Sequence, residues 1–168
     1  MKRPFTLLGL SFVLSFALVS CIETVSPGED VEPEDPDFST VPAPFDTTGK
    51  PVTRLENGVY HYEIREGKGA FKVVYRDQIS VHLTLRKTNG EIVTSTYADS
   101  STSPTVVFVS NMSVEGLKYG MIGMREDEQR TVVVPPAMGL AGVPENDPNY
   151  DLRNDTLLYD LQLVYIAN

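Results

Sequence analysis

The sequence predicts an α+β domain in which one short helix packs against an antiparallel sheet. Several short segments alternate apolar and polar residues with the period of two that half-buried strands require, and turn residues separate them. A single segment, 114–124, repeats its apolar residues at helical spacing instead. Because a lone amphipathic helix must bury its apolar side, the sheet is its expected partner.

The first residues are typical of a secretory signal, since Lys2 and Arg3 precede an uncharged run from Phe5 to Val19. This run is shorter than the roughly 20 apolar residues of a membrane-spanning helix. Residues 18–21 (LVSC) resemble the bacterial lipobox, in which a peptidase cuts before the cysteine and the cysteine carries lipid. The resemblance implies that 1–20 is a lipoprotein signal peptide and that Cys21, the only cysteine, attaches the mature chain to a membrane. The alternative is a plain cleaved signal.

Composition disfavours two classes of function. Without Lys2 and Arg3, 12 of the 14 basic residues remain against 23 acidic ones, a net charge of about −11. Nucleic-acid binding needs a basic face, so no nucleic-acid partner is expected. The two histidines, His61 and His82, do not stand in a metal-binding spacing, and no metal is expected.

Residues 21–51 are interpreted as the lipidated cysteine followed by an acidic, proline-rich tether. Six of the chain's 12 prolines and eight acidic residues lie between 22 and 51, with Lys50 as the one basic residue. Such a segment has too little apolar surface to offset its ordering entropy, so it is expected to be disordered or extended. The folded domain is assigned to 52–168.

Within the domain, six segments are predicted to be strands because they alternate or are mainly apolar. They are 59–65, 78–86, 91–97, 105–109, 130–134 and 156–166. The turn Asn89-Gly90 joins the second and third, since both residues tolerate positive φ. Leu117, Met121 and Met124 define the helix, and 137–155 is predicted to be a long loop.

Five motifs in this order resemble FKBP-type peptidyl-prolyl cis-trans isomerases. The first is the turn Gly67-Lys68-Gly69, and the second is 81–83 (VHL) with Asn89-Gly90, similar to the family's V-H-Y and D-G. The others are 114–124 (VEGLKYGMIGM), 134–139 (VPPAMG) and 154–163 (NDTLLYDLQL). They match the family's helix, I-P-P segment and closing strand, and the resemblance spans about 58–168.

The resemblance implies a sheet of five or six antiparallel strands wrapped around the helix, with the substrate pocket between them. It also implies a reaction without nucleophile, metal or cofactor. An apolar pocket takes the proline ring and strips water from the amide, and hydrogen bonds favour the twisted state. The barrier to that rotation is about 18–20 kcal/mol.

Aligned on these motifs, the pocket positions differ from the family pattern. Leu83 replaces a tyrosine, Leu117 the tryptophan of the floor, and Leu140 a tyrosine that carries a hydroxyl. A Phe-Asp pair becomes Val93-Thr94, while Val114 and the ring of Tyr159 are kept. Together the seven predicted pocket residues are Leu83, Val93, Thr94, Val114, Leu117, Leu140 and Tyr159. One further aromatic position falls on Thr105, Val107 or Phe108, and Tyr97 or Tyr150 could supply a replacement ring.

Two functions are compatible with these features. The first is a lipid-anchored isomerase of the cell envelope, at the outer membrane, which acts on proline-containing segments of exported proteins. The lipobox and tether resemble those of lipid-anchored members of the family in Bacteroidetes, including those linked to gliding motility. The second is a catalytically weak or inactive binding or scaffold module in an envelope complex, with the acidic loop 143–155 as its contact surface or simply a solvated loop. The same substitutions make ordinary core packing an equal alternative for Leu83, Val93 and Leu117.

Overall fold

The computed structural model describes residues 34–167. The predicted signal peptide, Cys21 and the first part of the predicted tether lie outside the described residues. No helix within 34–167 is long and apolar enough to cross a membrane.

Residues 34–167 contain seven strands and one α-helix. In chain order they are β1 (Val52–Arg54), β2 (Tyr60–Arg65), β3 (Gln78–Lys87), β4 (Ile92–Ser95), β5 (Thr105–Phe108), α1 (Glu115–Met121), β6 (Gln129–Val134) and β7 (Leu157–Ala167). Six strands agree with the predicted segments to within two residues at each end. The seventh, β1, is a three-residue edge strand whose side chains are all exposed, so it carries no alternation that would reveal it.

All strand pairings are antiparallel, in the order β1-β2-β6-β7-β3-β4, with β5 also paired to β3. The last strand of the chain, β7, therefore lies between β6 and β3 near the middle of the sheet. Its pairing aligns Tyr159 with Leu85 on one side and with Val132 on the other. The face that carries these three residues, called the inner face, packs against α1.

The helix approaches the sheet closely because glycines face it. A Cβ on Gly120 would lie 2.2 Å from Cγ1 of Val132, and one on Gly116 would lie 2.4 Å from Cγ1 of Val134. The helix was predicted over 114–124 but ends at Met121, since Gly123 adopts a φ of 83° that does not continue a right-handed helix. The helix therefore lies directly over β6.

A buried ion pair closes the C-terminal end of the helix. Arg130 Nη1 donates to the carbonyl oxygens of Gly120 at 2.9 Å and of Ile122 at 3.2 Å, and Arg130 also pairs with the buried Glu128. The guanidinium thus satisfies carbonyl groups that the helix leaves without intrahelical partners.

Residues 37–51, called the strap, differ from the predicted tether because they lie against the sheet. At its start, Asp37 N donates to Asp99 Oδ1 and Asp99 N donates to Asp37 O, both at 2.8 Å. Further along, Arg86 Nη2 donates to the Pro42 carbonyl at 2.6 Å. The compact folded unit begins at Asp35, so it extends upstream of the predicted domain boundary at residue 52.

The strap covers part of the outer face of the sheet, which is polar. Arg86 and Asp160 lie there 3.8 Å apart, Thr131 donates to Asp160 at 2.7 Å, and the Phe45 backbone N–H bonds the same carboxylate. Burial raises the pKa of Asp160, while the hydrogen bonds and the Arg86 charge act in the opposite direction. The end of the strap is held by two more bonds, Lys50 Nζ to Ile64 O and Glu63 N to Pro51 O.

Candidate functional site

A cavity of about 240 Å³ lies between the first turn of α1 and the inner face of the sheet. Six of the seven predicted pocket residues line it: Leu83, Thr94, Val114, Leu117, Leu140 and Tyr159. They come from five parts of the chain, namely β3, β4, the start of α1 with the residue before it, the segment after β6, and β7. The fold therefore brings together positions that are up to 76 residues apart in sequence.

Strand alternation explains how the sheet contributes to the cavity. Leu83 and Leu85 point to the inner face of β3, and Tyr159 stands opposite Leu85 on β7. On the helix side, the cavity is lined by Leu117 of α1 and by Val114, which directly precedes the first residue of the helix. The walls of the cavity are consequently aliphatic on both the sheet and the helix side.

Val93 is the predicted pocket residue that does not line the cavity, and the reason is a β-bulge. Leu85 pairs with Thr94, but the next residue, Arg86, pairs with Ile92, so Val93 is the extra residue of β4. It packs against the core while Thr94 faces the cavity. The alternation of residues in 91–97 does not reveal the bulge. Val93 was therefore predicted to line the pocket, whereas the structure places it outside the cavity.

The uncertain aromatic position belongs to Val107. This residue lines the cavity, whereas Thr105 does not and Phe108 is 46% exposed on the other face of the edge strand. The cavity also contains Ser113, which the family alignment places beside Val114, and three residues that the sequence analysis did not single out: Leu85, Met112 and Asn149. Leu85 could have been found because it shares the strand face of Leu83, but the other two lie in segments without periodicity.

Neither of the suggested replacement rings reaches the cavity. Tyr97 stacks on His82 with ring centroids 4.7 Å apart, on the outer face of the sheet. The Tyr150 ring lies under the Arg153 guanidinium at 3.9 Å. Tyr159 is therefore the one aromatic side chain among the cavity residues, within the part of the chain that the structure describes.

The polar groups of the cavity differ in their exposure. Thr94, Ser113 and Asn149 are exposed at its mouth, and Asn149 is held there because its backbone N and its Nδ2 both donate to Asp147 Oδ1. Tyr159 is only 4% exposed, and burial strongly raises the pKa of its phenol. At neutral pH its hydroxyl is thus a protonated donor in an apolar surrounding.

A second cavity, of about 140 Å³, lies between the strap and the outer face. Pro42, Phe45, His82, Tyr97 and Asp160 are among its walls, and none of the seven predicted pocket residues reaches it. Between residues 34 and 167, no three histidine, cysteine, aspartate or glutamate side chains are grouped so as to hold a metal ion. The inner cavity, which gathers six of the seven predicted pocket residues, is the candidate site for a proline ring.

The size and walls of the inner cavity suit that ligand. A buried apolar cavity of about 150 Å³ is enough to hold benzene, so 240 Å³ can admit a five-membered ring together with part of the adjoining amide. Its aliphatic walls would take the place of water around the amide. Because water stabilises the polar planar form, its exclusion favours rotation about the C–N bond.

Comparison with curated proteins shows similarity to two chloroplastic peptidyl-prolyl cis-trans isomerases of Arabidopsis thaliana. FKBP16-1 is 28% identical over 146 residues, which cover 77% of this chain and 70% of that protein. FKBP16-4 is 31% identical over 118 residues, which cover 66% of this chain and 51% of that protein. The chain thus spans about half the length of the second relative.

Among solved structures, FkpA from Escherichia coli superposes with a TM-score of 0.56 at 21% identity, over 68% of this chain and 51% of that one. This likeness shows the FKBP-like fold, which agrees with the predicted architecture. The family model of FKBP-type peptidyl-prolyl cis-trans isomerases matches residues 69–164, more than half of the chain and all of the sheet beyond β2 except the last three residues of β7. On that match, this chain belongs to the FKBP-type peptidyl-prolyl cis-trans isomerase family.

Proposed function

We propose that this protein catalyses cis-trans isomerisation of X-Pro bonds in proteins exported to the cell envelope. The observation that carries the proposal is the inner cavity, which is apolar, large enough for a proline ring and placed between helix and sheet. Uncatalysed isomerisation takes tens to hundreds of seconds, slow enough to limit folding. A catalyst of this step would therefore speed the folding of its clients.

The proposed mechanism uses binding and desolvation without a covalent intermediate. Leu83, Leu117 and Val107 surround the proline ring and exclude water from the amide. The planar amide is stabilised by resonance that rotation must break, so an environment that hydrates it poorly lowers the barrier. Polar groups of the same cavity can then interact with the twisted amide.

The proposed location is the cell envelope, with the mature chain anchored at the outer membrane by lipid on Cys21. Support comes from residues 1–21 alone, which combine a basic start, a short apolar run and the LVSC motif. An anchor of this kind needs more than one acyl chain, because each buried CH₂ contributes about 0.8 kcal/mol. Within this proposal the protein resembles lipid-anchored isomerases of Bacteroidetes and acts on proline-containing segments of neighbouring exported proteins.

A catalytically weak or inactive binding module is the second candidate. The observation in its favour is the cavity wall, where leucines stand at three positions that the family fills with aromatic rings. Aliphatic walls still exclude water, but they cannot make the stacking and edge-to-face contacts that aromatic rings make with a ligand. A module of this kind would hold a proline-containing partner in an envelope complex without turnover.

The test is a pair of neighbouring substitutions in the mature chain, residues 21–168 with Cys21→Ser. Val107 lines the cavity, whereas Val106 is 61% exposed and points to the outer face of the same strand. We expect wild type to accelerate isomerisation of proline tetrapeptides, Val107→Asp to reduce kcat/KM at least tenfold, and Val106→Asp to stay within about twofold.

The reason for the expected loss is that a carboxylate in the cavity wall keeps water beside the amide. If wild type binds the tetrapeptides without accelerating them, the binding module is the correct function. Equal losses in both variants would mean that the edge strand, and not the cavity, sets the rate.

A further inference from the structure

Tyr159 is one of the residues that line the inner cavity. Its side chain lies in the central strand β7 between Leu85 and Val132, and it is 4% exposed. Among the described residues its phenol oxygen makes no hydrogen bond, and it is not one of the fully enclosed polar atoms without a partner, so it keeps some access to the cavity or to solvent. Buried hydroxyl groups usually have a partner, so one that faces a cavity without a protein partner is suited to meet a ligand there.

The other polar groups of the cavity are less suited to act on a bound amide. Thr94, Ser113 and Asn149 stand exposed at the mouth, where water competes for their hydrogen bonds. In contrast, Tyr159 lies among aliphatic side chains, where a hydrogen bond is electrostatically stronger. Burial also raises the pKa of its phenol, so the proton remains on the oxygen throughout the physiological range.

The acceptor that gains most during the reaction is the nitrogen of the X-Pro bond. In the planar amide its lone pair is delocalised towards the carbonyl and accepts hydrogen bonds poorly. Rotation breaks the resonance and localises the lone pair on nitrogen, which makes it a better acceptor in the twisted state. A donor aimed at this nitrogen therefore stabilises the transition state more than the ground state, which is the requirement for catalysis.

We propose that Tyr159 is a catalytic residue whose hydroxyl group donates a hydrogen bond to the prolyl nitrogen as the amide twists. The inference rests on the proposed isomerase function and assigns to Tyr159 a role beyond that of an aromatic wall. No bond to the substrate forms or breaks, and the phenol keeps its proton throughout.

The deciding variant is Tyr159→Phe, which keeps the ring and removes only the hydroxyl group. Rates are measured on proline tetrapeptides with the mature chain carrying Cys21→Ser, beside the same chain with Tyr97→Phe as the matched control. Tyr97 loses an equivalent hydroxyl on the outer face, away from the cavity. We expect Tyr159→Phe to lower kcat by about tenfold or more with little change in KM, and Tyr97→Phe to leave both unchanged.

Stability supplies a second, independent readout. Removing a hydroxyl that makes no hydrogen bond within the protein should leave the urea midpoint of unfolding equal to that of wild type or higher. The combination of retained stability and reduced kcat is expected only if the hydroxyl serves the reaction. The ratio of wild-type to Tyr159→Phe rates should also stay constant between roughly pH 6 and pH 9, because the buried phenol does not titrate there.

Three results would overturn the inference. A Tyr159→Phe chain as fast as wild type would show that the ring alone is needed, and the isomerase function would stand. A loss confined to KM would assign the hydroxyl to ground-state binding. An inactive wild type would overturn the proposed function itself and the role of Tyr159 with it.

Discussion

His61 is a buried base whose environment opposes its charged form. The side chain is 9% exposed, Nδ1 has no hydrogen-bond partner among the described residues, and the cationic Arg130 lies nearby. Burial first, and the Arg130 charge second, lower the pKa of His61 from 6.5 to about 4. The folded domain thus holds a neutral imidazole over a range in which the unfolded chain takes up a proton.

This difference predicts a loss of stability in mild acid. Since the folded pKa is below the unfolded one, stability is complete above about pH 6.5 and falls as pH decreases towards 4. At pH 4.5 the protonation of His61 in the unfolded chain lowers the free energy of unfolding by about 2 kcal/mol. Urea unfolding of wild type, His61→Gln and His82→Gln at pH 7 and pH 4.5 tests this: His61→Gln should lose less stability on acidification, while His82→Gln should follow wild type more closely. An unchanged acid response in His61→Gln would contradict it.

At the same scale, the sequence was informative where a residue's role follows from alternation or a short motif. Leu83, Leu117 and Tyr159 could be assigned to one pocket because each lies in a motif that resembles the FKBP family, and the structure brings them to one cavity. Val93 could not be excluded from the predicted pocket, because a β-bulge changes the position of a side chain without a recognisable pattern in the neighbouring sequence. The missing partner of Tyr159 was also beyond reach, because hydrogen bonds across a cavity depend on the packing of separate strands.

Among the elements, the strap is the one whose composition is misleading. Proline and acidic residues indicate a disordered or extended chain, whereas residues 37–51 contain two turns and are fastened to the rest of the domain by backbone and side-chain groups. The composition of a segment indicates how much apolar surface it can bury. It does not indicate whether backbone carbonyl groups, such as that of Pro42, accept hydrogen bonds from the rest of the domain. One residue could have suggested these contacts. Arg86 is a charged residue in a predicted strand, and in the structure it is 7% exposed, so its guanidinium needs a partner.

The strap therefore predicts a difference between two truncations. A chain that begins at residue 35 keeps the contacts of Asp37, Pro42 and Phe45, while one that begins at 52 exposes Arg86 and Asp160. With about 1 kcal/mol for each lost hydrogen bond and some recovery by water, the shorter chain should be less stable by about 2–4 kcal/mol. Urea unfolding at equal protein concentration measures this, and an equal midpoint for both chains would show that the strap contacts contribute nothing net.

The strap also bears on activity, because β3 has two faces. Arg86 contacts the strap from the outer face, while its neighbours Leu83 and Leu85 form the cavity on the inner face. Loosening the outer contacts should widen the distribution of cavity shapes, and catalysis by positioning is sensitive to such changes. An assay of the bare segment 52–168 would consequently understate the activity of the protein.

For the whole molecule, the fold predicted from sequence is confirmed, whereas the anchor stays a prediction. Periodicity gave the antiparallel sheet and its single helix, with seven strands in place of five or six. The lipid anchor depends on Cys21, which lies outside the described residues, and on processing that no fold can reveal. The mature chain, with a net charge of about −11, has no electrostatic attraction to anionic lipid surfaces, so under this prediction the acyl chains alone would hold it there.

The anchor hypothesis predicts that a single substitution releases the protein from the membrane. When the full chain is expressed in a bacterium with lipoprotein processing, we expect labelled palmitate to enter wild type and the chain to sediment with membranes. Cys21→Ser should abolish labelling and move the chain to the soluble fraction, because no helix within 34–167 can span a bilayer in place of the lipid. Ser20→Ala is the matched control, since it keeps a small residue before the cysteine and should still be lipidated. Membrane retention of Cys21→Ser, or a wild-type chain cut at another position and free of label, would contradict the anchor and favour a plain exported domain.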